Sequence, residues 1–288
     1  MQSLIGILII LVSVIFRQGE SITVRNYSKK YGNGGLFFNA IICFFSVLYF
    51  VFAKKGAFYF PDGLWILCVP NAFMAALGFA GAYFAFKWGS FALTGFFISV
   101  ASFVPAFYGI IALGEKTTIW TYMAFSFLLV SMLLINLKKG EKKKLSLKWI
   151  ISITLGMIGN GLVGILGRMQ FEVFGDGVKN EFMMVSFGGA ALLLFVMAVI
   201  FERHTVKQVL RYSLGYGVLT GVCNAVKNSL ILGVYNYLAV SFVSPFNAAL
   251  TMLSTFGISI FFYKEKFTKV QLAGLFLGIL AVVFLNLK

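Results

Sequence analysis

Leu4-Ile5-Gly6-Ile7-Leu8-Ile9-Ile10-Leu11-Val12-Ser13-Val14-Ile15-Phe16 carries no charge, and Arg17-Gln18-Gly19-Glu20 follows it directly. The two charges fall near the middle of the first hydrophobic segment, residues 3–27, and not at its end. On a helix, a cation and a carboxylate three positions apart share a face and can neutralise one another across one turn. At bilayer depth each charge costs about 2.5–3.5 kcal/mol, and such groups are retained where they face a cavity or a pathway.

The remaining sequence fits that setting. Of 288 residues, 60% are hydrophobic and 11% charged, with a mean hydropathy of +0.94. Ordinary globular domains run at roughly 45–50% apolar and about 25% charged. The apolar residues come in runs of about 20, the length a helix needs to cross ~30 Å of hydrocarbon. Alternating ten-residue strands of the barrel type are absent. Met1-Gln2-Ser3 offers no basic leader, and the first segment runs into Arg17 instead of a small-residue cleavage site, so no removable signal peptide is expected.

The net charge of +15 sits mostly between the hydrophobic segments, where it orients a chain in a bilayer and does not mark a nucleic-acid binder. Cys43, Cys68 and Cys223 lie in separate apolar segments and His204 is the only histidine, so neither a metal site nor a disulfide framework is expected. A membrane-embedded enzyme would need a base and an orienting group within reach at depth, and no such set is visible.

Hydrophobic periodicity predicts ten spanning helices, at about 3–27, 35–53, 64–86, 90–113, 118–137, 149–171, 181–201, 212–235, 239–263 and 269–287. Only residues 138–148, rich in lysine, have the composition of a linker, and they separate residues 1–137 from 149–288. The halves resemble one another. Gly114-Glu115-Lys116 and the closing Asn136 match Lys264-Glu265-Lys266 and Asn286, both at an offset of 150. Five helices per copy is an odd number, so the second copy would enter the membrane inverted. That architecture places a substrate site near the midplane between the copies. Alternate connections carry 15 and five Lys or Arg, which places both termini outside the cytoplasm.

Pro105 with Gly114-Glu115-Lys116, Lys264-Glu265-Lys266, and a hydrophobic closing helix ending in Asn in each half resemble the paired domains of the drug/metabolite transporter superfamily, EamA-like branch. Arg17-Gln18-Gly19-Glu20 is similar to an early Arg/Lys-x-x-Glu in some bacterial members. The resemblance implies a ten-helix inverted-repeat transporter in a cell membrane, with helices 1–4 and 6–9 around a central cavity and helices 5 and 10 as scaffold. It implies transport of small metabolites without a covalent cofactor. Members commonly place their termini in the cytoplasm, against the charge count here, and the second half has Thr255 where Pro105 would recur.

Several polar residues are candidates for lining such a cavity. Arg17 would meet an anionic group and Glu20 a cationic group or a coupling proton; the structural alternative is an ion pair that locks helix packing. Thr220, Asn224, Lys227 and Asn228 follow steps that keep them on one side of helix 8. At an offset of 150, Asn224 and Lys227 fall on Met74 and Leu77, so this stripe exists in one copy only. Asn71, Asn160 and Asn247 are weaker candidates, equally consistent with interhelical hydrogen bonding. Arg168 and Glu172 lie near a helix end, where long side chains snorkel to the interface.

Pro70, Pro105 and Pro245 each free a carbonyl and bend a helix, as a gating hinge or a static kink does. Gly159-Asn160-Gly161-Leu162-Val163-Gly164 spells a dinucleotide-binding pattern but lacks a preceding strand, so close helix packing is expected of it. Gly217-x-x-x-Gly221 and Gly274-x-x-x-Gly278 have the same explanation, the latter packing helix 10 on helix 5 or on a second subunit. Tyr83, Tyr108 and Tyr235 offer cation–π faces or core filling. The expected partners are a small-molecule substrate and the bilayer, in a monomer or homodimer. The competing expectations are a quaternary-ammonium exporter using Glu20 and a non-transporting accessory membrane protein.

Overall fold

A computed structural model describes residues 2–31, 34–54, 56–88, 97–98, 100–136, 146–262 and 268–285. Lys264-Glu265-Lys266, Asn286, the opening of the fourth predicted span and most of the basic linker lie outside the described residues. Among the described residues the chain is all-helical. We number the helices α1 (Gln2–Tyr31), α2 (Gly35–Ala53), α3 (Trp65–Trp88), α4 (Phe103–Ile111), α5 (Ile119–Asn136), α6 (Leu147–Phe174), α7 (Lys179–Phe201), α8 (Val206–Val234), α9 (Val240–Phe261) and α10 (Lys269–Leu285).

By length and composition, α1, α2, α3, α6, α7 and α8 can each cross a membrane, and α5 and α10 are shorter apolar helices. Large apolar side chains stand on the exterior, among them Phe52, Ile111, Ile200 and Phe262, which is tolerable only where lipid is the solvent. Bounds expected from hydropathy differ at α8, which begins six residues early, at α1, which runs four residues past 27, and at α6, which begins two residues early and runs three past 171. Ser146 explains one of these extensions, since its hydroxyl accepts from Trp149 N at 3.2 Å and caps α6.

The principal packing pairs all join the two halves: α1 with α8, α3 with α6, α2 with α7, and α5 with α10. Contacts fix their sense. Glu202, just past α7, accepts from Leu36 N and Phe37 N at the start of α2, while Lys54, just past α2, pairs with Glu181 at the start of α7. These helices are therefore antiparallel. Gly34 makes the first contact possible, because its φ of 80° turns the chain into α2 in a region that favours glycine.

The α3–α6 crossing is glycine against glycine. A Cβ on Gly159 would lie 2.4 Å from Gly78 N, and one on Gly81 would lie 2.4 Å from Gly156 N. Bare backbones in contact maximise dispersion and admit no ligand between them. The sequence expectation of close packing for this glycine run is met. Gly217 and Gly221 approach Ile41 and Phe45 of α2, and Gly278 approaches Ser131 of α5, where the Ser131 hydroxyl donates to Gly274 O. The α10 glycines thus face α5.

Candidate functional site

The α1–α8 crossing, unlike the glycine crossing of α3 and α6, carries charge. Lys227 Nζ lies 2.5 Å from Glu20 Oε2, with the side chains 13% and 16% exposed. At 1.5 Å rise per residue the pair lies more than about 10 Å from either end of both helices. Arg17 stands one turn earlier on α1, half-buried, and acts electrostatically on the Lys227 ammonium. Its guanidinium has no hydrogen-bond or ion-pair partner among the described residues. The carboxylate thus finds its partner across the helix crossing and not on its own helix face.

The rest of the α8 stripe is spent on internal bonds. Asn228 Nδ2 donates to Asn224 O at 2.8 Å and to Asn224 Oδ1 at 2.9 Å, and Asn224 Nδ2 donates to Ser46 Oγ at 3.1 Å. Ser46 in turn donates to Gly221 O at 3.0 Å, so α2 and α8 are stitched together beside the ion pair. Thr220 donates back to Tyr216 O on its own helix. Such back-bonding satisfies a hydroxyl that would otherwise be stranded at depth.

Gln18 is a site residue that sequence reasoning passed over. Its Nε2 donates to Thr251 O, Ser254 Oγ and Thr255 Oγ1 at 3.1, 2.7 and 3.1 Å, and Thr255 donates back to Gln18 Oε1. This amide holds α1 on α9 while Glu20 holds it on α8, so the rotation of α1 is set on both flanks. No local pattern marks it, because its hydroxyl partners lie on α9, more than 230 positions away. Gln18→Leu is expected to cost about 1 kcal/mol, because interhelical hydrogen bonds in membranes average ~0.6 kcal/mol and rarely exceed ~1.7. A drop in detergent melting temperature of a few degrees is the readout, and an unchanged value would remove Gln18 from this role.

The other candidates are dispersed. Asn160 is exposed, donates to Gly156 O at 2.8 Å and lies against Gly78 on the glycine crossing. Asn71 is buried at the α3 core with its Oδ1 unpartnered among the described residues. Asn247 is half-buried on α9. Pro70 faces outward, Pro105 is buried against Gly164, and Pro245 is buried within α9.

One expectation is corrected. Arg168 does not snorkel: it is 9% exposed and pairs with Glu172 at 2.5 Å, with Glu115 3.6 Å away. Two carboxylates nearby make burial cheaper than reaching for water. The Tyr235 ring lies 5.1 Å from the Arg168 guanidinium, so that cation–π face is taken internally. Glu115 itself accepts from Val240 N and Ser241 N at 3.0 and 2.8 Å, capping α9 from the other half. Gly114, at φ 62°, turns the chain out of α4 and delivers that carboxylate.

The model of the EamA-like transporter family matches residues 147–287. This part of the chain resembles that family. The EamA-like region therefore comprises α6 to α10, including Lys227 and the stripe around it, while Arg17, Gln18 and Glu20 reach it from α1. A solved crystal structure of a protein shares the fold, with a TM-score of 0.72 at 12% identity, covering 99% of this chain and 98% of that one. No curated protein matches the sequence. The family is one of transporters in membranes, which agrees with several helices able to cross one.

Proposed function

We propose that the protein is a transporter of a small polar metabolite, zwitterionic or anionic, that works by alternating access between two inverted five-helix repeats, residues 1–137 and 149–288, in a cell membrane. The observation that carries this reading is the Glu20–Lys227 pair with Arg17 beside it, deep in the α1–α8 crossing. Charges at that depth are kept for a pathway.

The helix pairings support the inverted repeat. Exchanging each helix for the one five places on turns α1–α8 into α6–α3 and returns α2–α7 and α5–α10 to themselves, as a two-fold axis would. At an offset of 143, which pairs Arg25 and Gly32 with Arg168 and Gly175, and at the offset of 150, the Asn160–Gly78 contact maps onto Arg17 and Asn228, and Glu20–Lys227 maps onto Val163 and Leu77. A charged crossing opposite a glycine-sealed one favours movement on the α1–α8 side. Pro105 and Pro245 are hinges within this scheme. An exporter of quaternary ammonium compounds would need an unpaired carboxylate, and Glu20 is paired.

The test is flux in proteoliposomes, with hits taken from a thermal-shift screen of metabolites. Arg17→Ala is expected to remove most flux while leaving the melting temperature within a few degrees, since the half-buried guanidinium has no partner among the described residues to strand. Wild-type flux in that variant would sink the site assignment. The charge distribution favours both termini outside the cytoplasm; a cysteine introduced between residues 138 and 148 that labels from outside intact cells would reverse that orientation.

A further inference from the structure

Resting on the transport reading above, we propose that the cargo is an organic anion of one net negative charge, bound through Arg17, and that Glu20 and Lys227 serve as each other's counter-ions. The charge balance of the crossing leads there. Glu20 and Lys227 cancel at 2.5 Å. The elements packed against α1 are chiefly α8 and α9, with α2 adding the Tyr27–Phe38 stack. Beside this pair α8 contributes Cys223, near Gly19, and the amides of Asn224 and Asn228; α9 contributes the hydroxyls that bind Gln18. None of those carries charge, so among the described residues the site holds one surplus positive charge, on Arg17.

The supply of hydrogen-bond donors points the same way. Asn228 Nδ2 is committed to Asn224, Asn224 Nδ2 to Ser46, and Gln18 Nε2 to α9. Asn160 Nδ2 is committed to Gly156 O. The guanidinium of Arg17 is left as the open donor array, and a planar fork of N–H groups matches a carboxylate or sulfonate better than any other small group. A cationic cargo would meet two cations and a carboxylate already neutralised. A zwitterion would have to insert its ammonium between Glu20 and Lys227, leaving Lys227 and Arg17 both to be satisfied by one carboxylate. A monoanion neutralises Arg17 without rearranging anything.

Lys227 then has an indirect part. Glu20 lies three residues from Arg17 and would pair with it if Lys227 did not hold it away. The Lys227 ammonium therefore keeps the anion site open by occupying the only carboxylate beside it among the described residues.

The experiment is a thermal-shift titration of the purified full-length protein at fixed pH and ionic strength. The probes are lactate, benzoate and methanesulfonate as monoanions, succinate as a dianion, alanine as a zwitterion and tetraphenylphosphonium as a cation, followed by liposome flux of each stabilising compound. Saturable stabilisation by a monoanion is expected in the wild type. Arg17→Gln should weaken it at least about tenfold, with Arg17→Lys intermediate because it restores charge without the fork. Lys227→Met alone should lose monoanion binding, and Glu20→Gln/Lys227→Met should regain it, because the carboxylate that captured Arg17 is gone.

Failure of that rescue in a monodisperse double variant would overturn the proposal. Should the double variant not fold, the Arg17 series decides alone: monoanion binding indifferent to Arg17→Gln overturns it. Flux of alanine or tetraphenylphosphonium with every monoanion inert would overturn it while leaving the transport reading intact. No stabilisation and no flux with any class would overturn both.

Discussion

Gly159→Val is expected to abolish recovery of folded protein. A Cβ there would sit 2.4 Å from Gly78 N, 2.6 Å from Met74 O and 2.7 Å from Gly78 Cα, all backbone atoms of α3. No rotamer relieves such a contact, so α3 and α6 must separate by about an ångström. That gap would also open the Gly81–Gly156 contact one turn away, and dispersion falls off steeply over such distances. Overpacking usually costs about 1–3 kcal/mol where side chains can yield; here, with backbone on both sides, at least about 3 kcal/mol is expected. Gly257→Ala is the control, since a methyl there meets nothing within 4 Å. It should be neutral, or stabilising by up to about 1 kcal/mol from helix propensity. Fluorescence-detected size exclusion and melting temperature in detergent read both variants, and a Gly159→Val protein that melts like the wild type would show that the crossing is loose.

Glu115→Ala is expected to lower stability by about 3–5 kcal/mol. Each hydrogen bond from a backbone N–H to a charged acceptor contributes ~1.5–3 kcal/mol, and Glu115 accepts two, from Val240 and Ser241. Removing it also strips a negative charge from the positive end of the α9 dipole. Arg168 keeps Glu172 as its ion-pair partner. Glu115→Gln retains an acceptor oxygen and should lose roughly half as much. Hydrogen exchange at residues 240–245 distinguishes a frayed α9 from general unfolding: in the alanine variant protection should fall there first, and a uniform loss would remove the capping role.

Much of this was legible in the sequence because a bilayer imposes simple rules. The apolar run 35–53 coincides with α2, and charge at depth drew attention to Arg17, Glu20 and Lys227 before their arrangement was visible. What spacing could not supply was partnership. Three residues on a helix suggested Arg17 for Glu20, whereas the partner lies 207 positions away, where no local pattern reaches. Arg168 was misjudged for the same reason, since Glu115 comes to it from the other half of the chain. The Gly-Glu-Lys motif was visible as a repeated marker, but its work as a helix cap depends on a turn at Gly114 and on where α9 begins. Gln18 escaped notice because a neutral amide in a membrane helix announces nothing until its hydroxyl partners are adjacent.

The carboxylate caps reach across the molecule in both directions: Glu115 of the first half completes α9, and Glu202 of the second completes α2. Each half therefore holds a piece the other needs to finish a helix, and the leading packing partner of every helix in those pairs is also foreign to its own half. Neither half is a freestanding unit. Made alone, each would be a ribbon of hairpins with its inward faces open to lipid and protease. A chain severed between Asn136 and Leu147 and co-expressed as two pieces would reassemble by complementation, and each fragment's survival in the cell would depend on the arrival of the other.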